Sequence, residues 1–299
     1  MTADQFVNIL ATVTLLEMMF AIGLGVTVSD VVGVARNWRI VCRAILANYL
    51  LVPAVAVGLL LAFHAHPLVA AGFLIAAVCP GAPYGPPLTA LTKGNVVVSV
   101  GLMVILAGSS AVLAPLLLQA LLPIVAGNEP IRINAAKMVI TLALTQFLPL
   151  CVGLFVRQRY PAPATRLKKP AGQLSAVLNL LLIGIILVVQ FRTLAAIRLM
   201  GYVGMLALLA ATVLAGWALG GTTSGNRKAM TMATSVRNVG VSLVIATTSF
   251  PGSLAVSATT AYALVQTIIM ALAALIWGRH SSYQGSTLAG SFKVPSTHP

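Results

Sequence analysis

Acidic residues are almost missing: four Asp and Glu stand against eighteen Lys and Arg in 299 residues. All charged residues together make up 7% of the chain, where soluble domains carry about 25%. So little charge cannot solvate the surface of a soluble protein of this length. Cysteine is scarce too. Cys42, Cys79 and Cys151 all lie inside apolar segments with no CxxC or CxxH spacing, which excludes a disulfide scaffold and a zinc site and predicts small buried hydrophobes. No HExxH, no GxSxG and no paired Asp within a span occurs, so no intramembrane enzyme is expected. No basic stretch precedes the first apolar run, which has Asp4 in front of it. That run is expected as a retained helix, not a cleavable leader.

What is present is apolar: 59% of the residues. A bilayer crossing takes about 20 such residues, so the chain suffices for about nine or ten crossings. Apolar runs fall at about 5–28, 39–62, 67–92, 95–122, 132–157, 172–191, 198–219, 226–250 and 252–278. They predict an all-α membrane protein with nine transmembrane helices. The basic stretch 158–171 is expected as a cytoplasmic loop joining two halves. Residues 279–299, rich in Ser, Thr and Gly, are expected as a mobile cytoplasmic tail.

The net charge of +14 would suggest nucleic acid in a soluble chain. In a membrane chain the basic residues must first be placed by side. One set of ends and loops holds Arg36, Arg39, Arg43, Lys93, Arg157, Arg159, Arg166, Lys168, Lys169, Arg227, Lys228, Arg279 and Lys293; the other holds Arg132, Arg192 and Arg198. Thirteen against three puts the N-terminus outside and the C-terminus in the cytoplasm. No nucleic-acid partner is expected; anionic lipid headgroups are. Lys137 and Arg237 remain inside spans.

Two spans are abnormal. Cys79 to Pro87 reads CPGAPYGPP, and four prolines in nine residues cannot continue a helix. The span 226–250 carries Thr231, Thr234, Ser235, Arg237, Asn238, Gly240 and Ser242, the most polar set of any. Interrupted backbone is tolerated at membrane depth only where protein or a water-filled cavity covers it. Each interrupted span is third in a group of four, 5–122 and 172–278, with 132–157 between. The second group starts on the opposite side from the first. Inverted repeats with paired broken helices signal a secondary transporter whose site lies near the midplane.

At these residues the sequence resembles the bile acid:sodium symporter family. Cys79-Pro80-Gly81, then Lys93-Gly94-Asn95 and Ser99, resembles its CPGGTASN pattern and its Arg/Lys-Gly-Asn/Asp-x-x-Leu-Ser pattern. Met18 to Gly25 reads MMFAIGLG, similar to its MFxxGLxL helix, and Asn48 to Pro53 reads NYLLVP, similar to its QFxxMP. Arg227-Lys228 followed by Val236-Arg237-Asn238-Val239-Gly240 resembles its RK and MQNSG crossing helix. These motifs cover about 10–278 in the family's order. The resemblance implies a panel domain and a core domain built from two inverted five-helix repeats, in a nine-helix type that lacks the first helix. Residues 1–157 then hold the first repeat plus the first helix of the second, and 172–278 the rest of the second. A bacterial inner membrane is the expected location, with a monomer as the simplest form.

The resemblance also implies two sodium ions behind the crossing, held by oxygen ligands. Their carry-over is uneven. The Ser-Asn pair falls on Gly85 and Pro86, a Thr on Met103, the shared Glu on Ala233 and a Gln on Arg237. Only Ser99 is kept, and Asn48 replaces a longer amide. Sodium beside an uncompensated guanidinium would cost several kcal/mol, by roughly 332/(ε·r) with ε of about 20. The sodium sites are therefore expected to be largely lost, and no other metal or cofactor is expected.

Charged groups inside spans are expensive and functional by default. Three roles are open to Arg237: a fixed charge in place of sodium, a fork for an anionic substrate, or a structural pair. Glu17 is a counter-ion to Arg237 or Lys137, a proton-coupling group, or a carboxylate facing a crevice. His64 and His66 are expected as solvated loop residues. Asn238 is the first candidate for binding; Thr89, Thr234, Ser235 and Gln266 follow, and the backbone at Pro80, Gly81, Gly85 and Gly240 offers helix-break donors and acceptors. The expected function is alternating-access transport of a small organic anion by symport. The alternative is a passive facilitator, which needs no coupling ion.

Overall fold

The computed structural model describes residues 3–126, 133–189, 191, 197 and 199–290, the last eleven as backbone helix only. Arg132, Arg192, Arg198 and Lys293, counted above for orientation, lie outside the described residues. Every regular element among the described residues is a helix. The helices are α1 (Ala3–Gly25), α2 (Val28–Arg36), α3 (Trp38–Leu46), α4 (Val52–Ala62), α5 (Pro67–Val78), α6 (Gly85–Leu91) and α7 (Val96–Ala126). They continue as α8 (Ala135–Leu142), α9 (Leu148–Arg159), α10 (Pro161–Val189), α11 (Leu199–Leu219), α12 (Ser224–Ser235), α13 (Val239–Ser249) and α14 (Leu254–Gly290). Short π-helical turns at Ala47–Leu51 and Ala143–Phe147 join α3 to α4 and α8 to α9.

Eight segments among the described residues are long and apolar enough to cross a membrane, and Pro67–Val78 is a shorter apolar helix. The outer surface confirms the solvent they face. Val188, Leu180 and Leu214 are 81%, 69% and 68% exposed, and a belt of such residues is stable only against lipid. By contrast the middle of α12 and α13, from Lys228 to Thr247, is buried throughout. The most polar span is thus enclosed by protein, as its composition requires.

Packing divides the helices. α1 lies against α9 and α10 and touches α13 on another side. Its approach to α9 is close: a methyl on Gly23 would stand 2.5 Å from the Leu150 carbonyl oxygen. The other group places α5, α6 and α7 against α12, α13 and α14. The two interrupted helices are tied twice. At their ends, Asn95 N–H donates to the Gly225 carbonyl (2.9 Å) and its amide to Asn226 Oδ1 (2.9 Å). Lys228 Nζ donates to the Thr92 carbonyl (2.8 Å) and lies over the Trp277 ring. Lys228, expected as an end charge, is therefore largely buried.

Four expectations are corrected. The first run ends at Gly25, because Thr27 caps a separate helix, accepting from Asp30 N–H while Asp30 accepts from Thr27 N–H. The stretch 158–171 is not a loop: α10 starts at Pro161, where proline's missing N–H is no loss, and carries Pro170 within it. The tail is helical as far as Gly290. Of the cysteines, only Cys79 is buried; Cys42 is exposed and Cys151 intermediate.

Candidate substrate and ion site

The breaks come together. α5 ends at Val78 and α6 starts at Gly85; α12 ends at Ser235 and α13 starts at Val239. Between them, Asn238 N–H donates to the Cys79 carbonyl at 2.8 Å, and the Asn238 side-chain amide donates to the Gly81 carbonyl at 3.3 Å. Asn238 also caps α13, its Oδ1 accepting from Val241 N–H at 3.2 Å. One residue thus satisfies backbone groups freed on both breaks. Gly81 has φ +84°, and a methyl there would lie 2.4 Å from Ala107 N. Only glycine meets both demands. Gly85 and Gly240, expected within the breaks, are instead first-turn residues of α6 and α13.

Arg237 sits between these helix ends and is 1% exposed. Its backbone is held from α14: Gln266 Oε1 accepts from Arg237 N–H (3.0 Å) and Gln266 Nε2 donates to its carbonyl (3.1 Å). Its Nη1 donates to Asn48 Oδ1 at 3.0 Å. The Asn48 amide in turn donates to the Ala44 carbonyl (2.9 Å) and to Thr234 Oγ1 (3.4 Å). Asn48 points inward because it lies on the π-helical turn before Pro53, and such turns recur at functional sites. The ionisable side chains that feel the Arg237 charge are Tyr262, Cys79 and Tyr49. None is a carboxylate.

A second polar spot lies on the other side of the first break. Thr89 Oγ1 donates to Ser99 Oγ at 2.9 Å, and both are fully buried. Glu17 takes no part in either cluster. Ser175 Oγ of α10 donates to Glu17 Oε2 at 2.5 Å, so it partners neither Arg237 nor Lys137. Ser235 is buried with its hydroxyl unpaired. His66 caps α5, accepting from Leu68 N–H at 3.3 Å. Apart from the crossing, a cleft of about 170 Å³ opens between α8 and α13, lined by Asn134, Lys137, Thr141, Thr248 and Ser249 among others.

A model of the Sodium Bile acid symporter family matches residues 12–197. The chain belongs to that family. An uncharacterized sodium-dependent transporter of Bacillus subtilis (strain 168) is 29% identical over 147 residues, 49% of this chain and 44% of the relative. A probable chloroplastic sodium/metabolite cotransporter of Oryza sativa subsp. japonica is 27% identical over 173 residues, 58% of this chain and 40% of the relative. The matched stretches span less than half the length of either relative. Membership in this transporter family, with its apolar helices, makes the chain an integral membrane protein.

In this member of the sodium bile acid symporter family the crossing holds a guanidinium and amides. Arg237 and Asn48, which the resemblance casts as replacements of two sodium-binding amides, are hydrogen-bonded to each other. The methyl of Ala233 is buried where the resemblance places a carboxylate. Among the described residues no group of three His, Cys, Asp or Glu side chains converges on a metal-sized site. Tyr262 escaped the sequence reading, although it lies four residues before Gln266 and so one turn along the same helix face.

Proposed function

We propose that the protein is a secondary transporter that carries a small organic anion by alternating access without sodium. The observation that carries this reading is the Arg237–Asn48 hydrogen bond at 3.0 Å inside the crossing. On the resemblance Arg237 stands where a sodium ligand would, and its fixed positive charge, held by Asn48, supports a crossing that works without the ion. With both breaks buried and joined at Asn238, the site is central enough to be reached from either side in turn.

Uptake of radiolabelled organic acids into proteoliposomes tests this. Replacing Na⁺ by K⁺ leaves uptake unchanged, whereas a strong sodium requirement overturns the reading. The double variant Ala233→Glu with Arg237→Gln, which restores the family pattern, gains a sodium response. The missing sodium oxygens also favour a passive facilitator. Accumulation of substrate above the outside concentration under an imposed pH gradient rules that out, and Glu17, the only carboxylate within the described spans, is the group available for proton coupling.

A further inference from the structure

One edge of Arg237 is unused. Nη1 bonds Asn48, but Nε and Nη2 are buried and have no hydrogen-bond partner. These two nitrogens share the edge opposite Nη1. Their N–H bonds run parallel, the arrangement with which arginine grips two oxygens of one acid group. The other unpaired groups nearby fit the same purpose. Of the seven buried side-chain polar atoms without a partner among the described residues, four belong to Arg237, Tyr262 and Ser235. Tyr262 is fully buried, and it stands one helical turn from Gln266, which holds the Arg237 backbone. Ser235 ends α12, two residues before Arg237. Buried polar groups are normally paired, so a buried guanidinium edge with two unpaired N–H donors, and unpaired hydroxyls on the chain segments around it, marks a missing ligand.

We propose that the Nε/Nη2 edge of Arg237, with the Tyr262 hydroxyl donating beside it, binds the carboxylate of a small organic acid. This rests on the reading of the crossing as the transport site and names the acid group it takes. The guanidinium then has two partners on two edges: Asn48 holds it in the frame, and the ligand neutralises it. A halide must share one point between the two N–H groups, whereas a carboxylate gives each its own oxygen in line, so the site favours two-oxygen acids.

The test is a thermal titration of the purified protein in nanodiscs at fixed ionic strength, with chloride replaced stepwise by acetate or benzoate. Carboxylates raise the midpoint in a concentration-dependent way, since a ligand of the native state stabilises by mass action. If acetate suffices, a small acid fills the site; if only benzoate acts, the site takes the acid group of a larger molecule. Tyr262→Phe removes one charge-assisted hydrogen bond and weakens the apparent affinity about tenfold. Arg237→Lys keeps the charge but loses the parallel fork, and it weakens carboxylates at least tenfold while leaving chloride unaffected. Equal midpoints in chloride and both carboxylates, as water alone would give, overturn the proposal, as does unchanged affinity in both variants. Sodium-dependent uptake with intact carboxylate binding would overturn only the sodium reading; sodium-free uptake without this binding would overturn only the present one.

Discussion

Arg237 is an expensive residue that its neighbours make tolerable one contact at a time. A buried guanidinium without an acid partner persists only if the backbone beneath it is fixed, and Gln266 does that by bonding both Arg237 N–H and C=O. Gln266→Leu keeps the side chain's bulk but leaves both backbone groups unpaired in a buried place. A loss of about 2–5 kcal/mol is expected, read as a clear fall in thermal midpoint, with Gln266→Glu retaining part of the stability. Gly81→Ala acts on the same junction by a different route. It places a methyl against the Ala107 backbone at a left-handed φ, so the variant is expected to fail in folding or to lose transport outright; normal expression with normal uptake would show that the break is looser than described. Glu17→Gln is the milder change, because an amide oxygen still accepts from Ser175. Its expected effect is confined to coupling: stability within about 1 kcal/mol of the parent, and loss of the response to a pH gradient.

At the scale of elements, the two π-helical turns are related devices. Each ends one residue before the start of a helix whose second residue is proline, Pro53 or Pro149. Proline clashes with the carbonyl four residues back, and widening the turn relieves the clash. The carbonyls of Ala47 and Ala143 then accept from Val52 and Leu148 N–H, five residues on. The widened turns aim buried amides inward: Asn48 at Arg237, and Gln146 at the Ala107 carbonyl and at Ser110 Oγ of α7 (2.9 Å). Gln146→Leu is expected to loosen α7 from the α8–α9 unit, lowering the midpoint by about 1–3 kcal/mol in stability while leaving carboxylate affinity at Arg237 unchanged. The long spans and the two breaks were legible in the sequence, because hydropathy and clustered proline act locally. The π-helical turns were not, since Pro53 and Pro149 read equally well as ordinary kinks. The helix from Pro161 is hidden by its charges: basic residues suggest a loop, yet a helix end exposed to water carries them as readily. At the site, Arg237, Asn238, Asn48 and Gln266 were found by residue type, but what bonds to what depends on helix approach. Tyr262 carried no signal beyond its spacing from Gln266.

For the molecule as a whole, the charge distribution and the cleft make one prediction together. On the thirteen-to-three division of basic residues, α8 is expected to start on the outer side. The cleft between α8 and α13 runs from Asn134 and Lys137 toward Leu142 and Val244, and α13 leads from there back to Asn238 at the break. It is therefore expected to open outward, on the path to the crossing. Lys137 lies in this cleft near the start of α8, where the helix dipole disfavours a cation, and its charge is expected to attract anions to the cleft. The check is labelling of single cysteines in right-side-out vesicles with a membrane-impermeant maleimide. Cys42 and Cys151 are first replaced by Ser, because neither is fully buried; Cys79 is sealed in the crossing and stays unreactive. Thr141→Cys and Thr248→Cys are expected to react from outside, and Arg166→Cys only after the inner face is exposed. Reaction of Arg166→Cys from outside would reverse the topology. Failure of both cleft positions would close the cleft to water, leaving the Arg237 site reachable from the opposite side alone.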